Sequence, residues 1–170
     1  MTTDEMGRFV AQHDALVRSL CRRLCRHREE IDDLYQATFL RAISSDMPAD
    51  MSPADERNWL ITICINQYRD TRRYSKRHRV ILMVDASDPD AVPDFPDSRI
   101  GALDAYIASE EQRELWRELN KMDEKYRVPV VLYYFLDQST GDVARIMGLS
   151  LNTVLSRLHR ARKILAKKLR

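Results

Sequence analysis

Glycine and long apolar runs are both scarce in this 170-residue chain. It carries four glycines and six prolines, and β-branched residues rarely cluster between turn signals. That scarcity argues against a many-stranded sheet and favours helices. No apolar stretch approaches the roughly 20 residues that span a bilayer, and the amino terminus has no apolar signal core, so a cytoplasmic protein without membrane insertion is expected. A formal net charge of +2 averages over segments of opposite sign and excludes no polyanionic partner. Paired carboxylates, a Ser-His-Asp set and a glycine-rich phosphate loop are all missing, which speaks against an enzyme and implies no cofactor.

The three cysteines, Cys21, Cys25 and Cys64, are too few and too irregular for a secreted disulfide scaffold, and reduced thiols are expected. Cys21 and Cys25 lie one helical turn apart with His27 nearby, a spacing that permits a metal ligand pair. Structural zinc needs four ligands, however, so small buried core residues are the preferred reading and no metal site is assigned.

A hydrophobic fraction of 44% is enough for ordinary cores. Phe9, Val10, Leu16, Val17, Leu20, Cys21 and Leu24 recur at helical steps, with His13 as a tolerated interruption. Ile31, Leu34, Tyr35, Thr38 and Ala42 repeat the pattern, and the stretch from Ser44 to Met51, with Pro48, breaks it as a loop. Ser52-Pro53-Ala54-Asp55 then supplies a capping hydroxyl, a proline at the first helical position and a first-turn acid. The helix that starts there should run to about Arg79, with Trp59, Leu60, Ile63 and Cys64 as packing residues. Its Arg69, Arg72, Arg73, Lys76 and Arg77 fall at i, i+3, i+4, i+7 and i+8, making a basic face.

From Asp85 to Asp97 the chain is rich in aspartate and proline and has no lysine or arginine, which reads as a flexible acidic linker. The expected architecture is all-α: a helical domain over 1–80, a linker over 81–108 and a second helical domain over 109–170. In the second, apolar spacing returns near Ser109 and runs through Leu115, Trp116, Leu119 and Met122 to Val128–Leu136, with Pro129 placed in a helix's early turns.

Thr140 to Val154 has the spacing of a helix-turn-helix: small Ala144 where two helices cross, Gly148 in the turn, Val154 pointing inward. Ser150 can cap the second helix, whose Leu151, Val154, Leu158, Ala161 and Leu165 form the expected buried stripe. Its other faces carry Asn152, Thr153, Ser156, Arg157, His159, Arg160, Lys163 and Lys167, and no acid follows Asp142. A helix of that charge suits a groove lined by phosphates.

Three ordered segments carry a family resemblance: Asp33 to Ala42 (DLYQATFLRA), Trp59 to Asp70 (WLITICINQYRD) with the basic residues after it, and Ser156 to Arg162 (SRLHRAR). Together they resemble bacterial RNA polymerase sigma factors of the extracytoplasmic-function type. The resemblance implies that the chain binds core RNA polymerase and directs it to promoters. By residue match, Asp33, Gln36, Phe39 and Arg41 would dock on the β′ clamp helices. Trp59, Asn66, Arg69, Arg72, Arg73, Lys76 and Arg77 would engage the proximal promoter box and its non-template strand, with Trp59 weighed against simple core burial. Asn152, Thr153, Ser156, Arg157, His159, Arg160 and Lys163 would read the distal box in the major groove. The family also implies contact with the polymerase β flap, a linker passing through the RNA exit path, and an anti-sigma factor as inhibitor. Two features depart from the family pattern: Leu155 stands where a basic residue is frequent, and the Ser44–Ser52 loop lacks the usual aromatic and glycine residues. A helix-turn-helix regulator that does not act through polymerase is the alternative.

Overall fold

The computed structural model describes residues 2–48, 50–78 and 110–169, and among them there are helices and no strand. They form two compact units, one on either side of the segment 79–109. The expected linker lies outside the described residues.

The first unit is three helices that pack pairwise on one another: α1 (Thr3–Leu24), α2 (Arg28–Ser44) and α3 (Pro53–His78). A capping box starts α1, in which the Glu5 amide donates to Thr2 Oγ1 and the Thr2 amide donates to Glu5 Oε2. Helix α3 begins as its sequence indicates, with the Asp55 amide donating to Ser52 Oγ and Pro53 in a position whose N–H would be unsatisfied anyway. The core is built from Phe9, Val17, Leu20, Cys21 and Leu24 of α1, Leu34, Phe39 and Ala42 of α2, and Leu60, Ile61, Cys64, Ile65 and Tyr68 of α3. Thr38 is buried as well and donates its hydroxyl to the Leu34 carbonyl, which removes the cost of burying it.

One detail differs from the sequence reading. His13 is no interruption: it sits in the buried stripe of α1, because Glu56 at the start of α3 offers its ring a partner at 2.7 Å. All three cysteines are buried thiols outside any disulfide, and Cys21 Sγ lies 3.9 Å from Cys64 Sγ across the α1–α3 contact. That contact, together with burial, pushes the Cys21 thiol far above its ordinary value, which leaves it an inert packing group. Among the described residues, no three His, Cys, Asp or Glu side chains gather where a metal ion could be held.

The second unit contains α4 (Glu110–Lys121), α5 (Glu124–Val130), α6 (Thr140–Met147) and α7 (Leu151–Lys168). Pro129 lies near the end of α5, and the chain then widens into a π-helical stretch, Val131–Phe135, that closes with the Leu136 amide donating to the Val131 carbonyl. Proline supplies no N–H to the α-pattern, and the wider turn keeps Val131, Leu132 and Leu136 in the core. Trp116 of α4 packs on Phe135 with ring centroids 4.6 Å apart. The hub of this core is α7, which touches α4, α5 and α6.

Candidate nucleic-acid interface

The turn between α6 and α7 is defined atom by atom. Ser139 caps α6 by accepting from the Asp142 amide, and Ser150 caps α7 by accepting from the Thr153 amide. Gly148 ends α6 at φ +64°, the left-handed conformation that glycine adopts without a Cβ penalty. The Leu149 amide returns to the Ala144 carbonyl at 2.9 Å, and Ala144 itself is buried where the helices cross. This is the helix-turn-helix that the spacing of Ala144, Gly148 and Val154 indicates.

On α7 the buried stripe is narrower than expected. Val154, Leu158 and Ala161 are buried and Leu165 is half-buried, but Leu151, at the first position of the helix, is 47% exposed. It directly follows the capping Ser150. Asn152, Ser156, His159, Arg160 and Lys163 are exposed, while Thr153 and Arg157 are half-buried. Arg160 is engaged by the hydroxyl of Tyr126 on α5, an interaction that holds the tyrosine below its ordinary value. Arg162 donates to Tyr134 Oη at 3.0 Å. Neighbouring tyrosines therefore brace the two arginines in the middle of α7.

On α3 the basic residues divide. Asn66, Arg73, Lys76 and Arg77 are exposed and Arg69 is half-buried, whereas Arg72 lies back over the ring of Tyr68 and donates its Nε to the tyrosine hydroxyl at 3.3 Å. Its guanidinium is thus committed to packing. Trp59 is half-buried, not part of the core, and by helical phase shares the outward side of α3 with Asn66, Arg73 and Arg77. Tyr74, 64% exposed amid those arginines, went unnoticed in the sequence. Its signal there was an aromatic residue inside an otherwise charged helical turn.

On α2, Asp33, Gln36 and Arg41 are exposed. Phe39 corrects the expectation: at 5% exposure it is a core residue, edge-on to both Phe9 and Tyr35, and has no surface to offer a partner. The large apolar group on that face is its neighbour Leu40, 68% exposed and within one helical face of Asp33 and Gln36 at i+7 and i+4. That spacing was already present in the sequence.

Two family models match: "Sigma-70 region 2" over residues 9–78 and "Sigma-70, region 4" over residues 112–165, so each compact unit carries one match. The chain is 31% identical over 167 residues to the ECF RNA polymerase sigma factor EcfG of Rhodopseudomonas palustris, covering 96% of this chain and 84% of that protein. It is 30% identical to the ECF RNA polymerase sigma factor SigE of Mycolicibacterium smegmatis, covering 91% of this chain but 58% of that longer protein. Among solved structures, the sigma factor RpoE from Bartonella quintana, in complex with the anti-sigma factor NepR, matches with a TM-score of 0.70, 21% identity and 98% coverage of both chains. CnrH in complex with the cytosolic domain of CnrY matches with a TM-score of 0.62 and 23% identity, covering 98% of this chain and 88% of that one. At those identities the structural matches establish a shared fold.

Proposed function

Since this chain belongs to the family of extracytoplasmic-function RNA polymerase sigma factors, we propose that its two units divide promoter recognition between them while the chain as a whole is carried by core polymerase. The first unit docks on the β′ clamp helices through the α2 face of Asp33, Gln36, Leu40 and Arg41. An exposed leucine with a polar rim is the composition that transient protein interfaces favour. The outward side of α3 then tracks the proximal box. Arg69, Arg73, Lys76 and Arg77 neutralise phosphates, and the half-buried ring of Trp59 can stack on a base with modest rearrangement.

The second unit reads the distal box by inserting α7 into the major groove, with Asn152, Ser156 and His159 toward base edges and Arg157, Arg160 and Lys163 toward phosphates or guanine. The same unit meets the polymerase β flap. The chain acts by binding and performs no chemistry of its own.

One observation carries this reading: the acid-free, cationic helix α7 is set at the end of a fully formed helix-turn-helix, on a chain whose other unit matches sigma region 2. A helix-turn-helix regulator working without polymerase has no use for that second match. The complex of RpoE with the anti-sigma factor NepR supports an inhibitor of that kind for this chain too. Among the described residues no helix is long and apolar enough to cross a membrane. As a partner of core polymerase on promoter DNA, the chain acts beside the chromosome in the cytoplasm.

The test is transcription by purified core polymerase with the chain added, on genomic fragments, with start sites mapped. Discrete start sites that depend on the chain are expected. Binding to DNA without any binding to core polymerase would overturn the proposal in favour of an independent regulator.

A further inference from the structure

The leading turns of α7 expose two leucines, Leu151 at 47% and Leu155 at 45%. Scattered exposed leucines are normal on any protein. These two are four residues apart, so they lie on one side of the helix, within about 40° of each other and about 6 Å apart along its axis. Asn152 and Ser156 are exposed on the same turns, and His159, exposed too, follows Leu155 one turn later. Farther along, Ile164 is 37% exposed and Ala166 is exposed as well; the other exposed positions of the helix are polar or cationic, and no acid occurs anywhere after Asp142.

We infer that Leu151 and Leu155 form an apolar reader for thymine C5-methyl groups in the distal promoter box, an inference that rests on the sigma-factor reading above. The major groove displays one apolar group, the methyl of thymine, and an exposed aliphatic side chain on a groove-bound helix can be desolvated there only against that group. The spacing fits: about 6 Å along the helix corresponds to about two base-pair steps at 3.4 Å each, so each leucine can meet its own base pair. The charge distribution decides the occupant. A protein partner seated on this patch would have to cover the surrounding basic residues, whereas a duplex neutralises them while the leucines enter its groove.

The experiment uses holoenzyme assembled from core polymerase and the full chain. Duplexes randomised in the distal box are selected by binding. The best binder is then remade with deoxyuridine replacing individual thymines, which deletes the methyl and leaves every hydrogen-bonding group in place. Thymine should be enriched at two positions about two steps apart, and deoxyuridine at either should weaken binding about three- to fivefold, the worth of one buried methyl. Leu155→Ala should lose the enrichment at one position and become indifferent to deoxyuridine there, and Leu151→Ala should do the same at the other. Both side chains are exposed, so unchanged helix content by circular dichroism is expected. Equal binding of thymine and deoxyuridine by the unaltered holoenzyme would overturn the inference while leaving the sigma-factor reading intact. So would leucine variants that lose core-polymerase affinity but keep the thymine preference, since the patch would then face a protein. If the holoenzyme selected no sequence at all, the sigma-factor reading would fall and this inference with it.

Discussion

Nε2 of His13 lies 2.7 Å from Oε1 of Glu56, joining the middle of α1 to the first turn of α3 at a place where both side chains are largely withdrawn from water. The ring also packs against Phe9 at a centroid distance of 4.9 Å. Removing it strands a carboxylate in a site with little water. His13→Ala should therefore destabilise the protein by about 2 kcal/mol, measured as a lower urea midpoint at unchanged m-value. A midpoint equal to that of the unaltered protein would mean that Glu56 finds water without cost.

A second polar link ties α1 to α2: Asp14 accepts from Arg18 at 2.9 Å and from the Tyr35 hydroxyl at 2.6 Å. The Arg18 and Tyr35 hydrogen bonds hold the Asp14 carboxyl below its ordinary value, and burial, then the bond to Asp14, pushes the Tyr35 hydroxyl up to about 12. The sign follows from linkage. What Asp14 contributes is present above the ordinary carboxylate range and is lost as pH falls through the depressed value. What Tyr35 contributes is present below the ordinary value of 10.0 and fades as pH rises toward about 12. Asp14→Asn should be less stable near neutrality by under about 1 kcal/mol, because the pair is well exposed to solvent screening. Its stability curve should converge on that of the unaltered protein in acid. In an ultraviolet tyrosine titration, Tyr35→Phe should remove a transition near pH 12; its persistence would assign that transition elsewhere.

On α2, replacing Asp33 by lysine together with Gln36→Ala should weaken binding to core polymerase. Leu40→Ala alone should weaken it by about tenfold, the scale of one desolvated aliphatic anchor. Helix content should not change, because all three side chains point outward. Phe39→Ala supplies the contrast: it should cost about 3–5 kcal/mol of stability through the cavity it leaves. A polymerase pull-down read beside thermal melting separates the two effects, and undiminished affinity in the Leu40 variant would remove that residue from the docking face.

Arg157 and Arg160 lie about 60° apart around α7 and can approach one groove. Since Tyr126 engages Arg160, Arg160→Ala should weaken all promoter sequences about equally, as loss of a phosphate contact does. Arg157→Ala, if that side chain donates two hydrogen bonds to guanine, should cost about 1–3 kcal/mol and flatten preference at one base pair. Both are read at fixed salt on a library of distal-box variants. A flattened position in the Arg160 variant instead would show that the tyrosine positions Arg160 as a base reader.

Local chemistry was legible in the chain as written. Ser52, Pro53 and Asp55 announced the start of α3, Gly148 the left-handed turn, and the absence of acid after Asp142 the electrostatic character of α7, because caps, turns and net charge depend on neighbours within a few residues. The helical period likewise identified the cores, since one face of each helix must be apolar to pack. Tertiary structure decided which members of a mixed face are turned inward. Phe39 and Leu40 are adjacent large apolar residues that differ by about 100° in helical phase, and the arrival of Phe9 from α1 edge-on to Phe39 covers that ring while Leu40 stays exposed. His13 could enter a core only because Glu56, 43 residues away, comes within hydrogen-bonding distance of it. Arg72 and Arg160 could not be told from the other cations of their helices until Tyr68 and Tyr126 were seen beside them. A polar or cationic side chain chooses between solvent, partner and protein according to what lies within a few ångströms, and the chain's order alone does not say what that is.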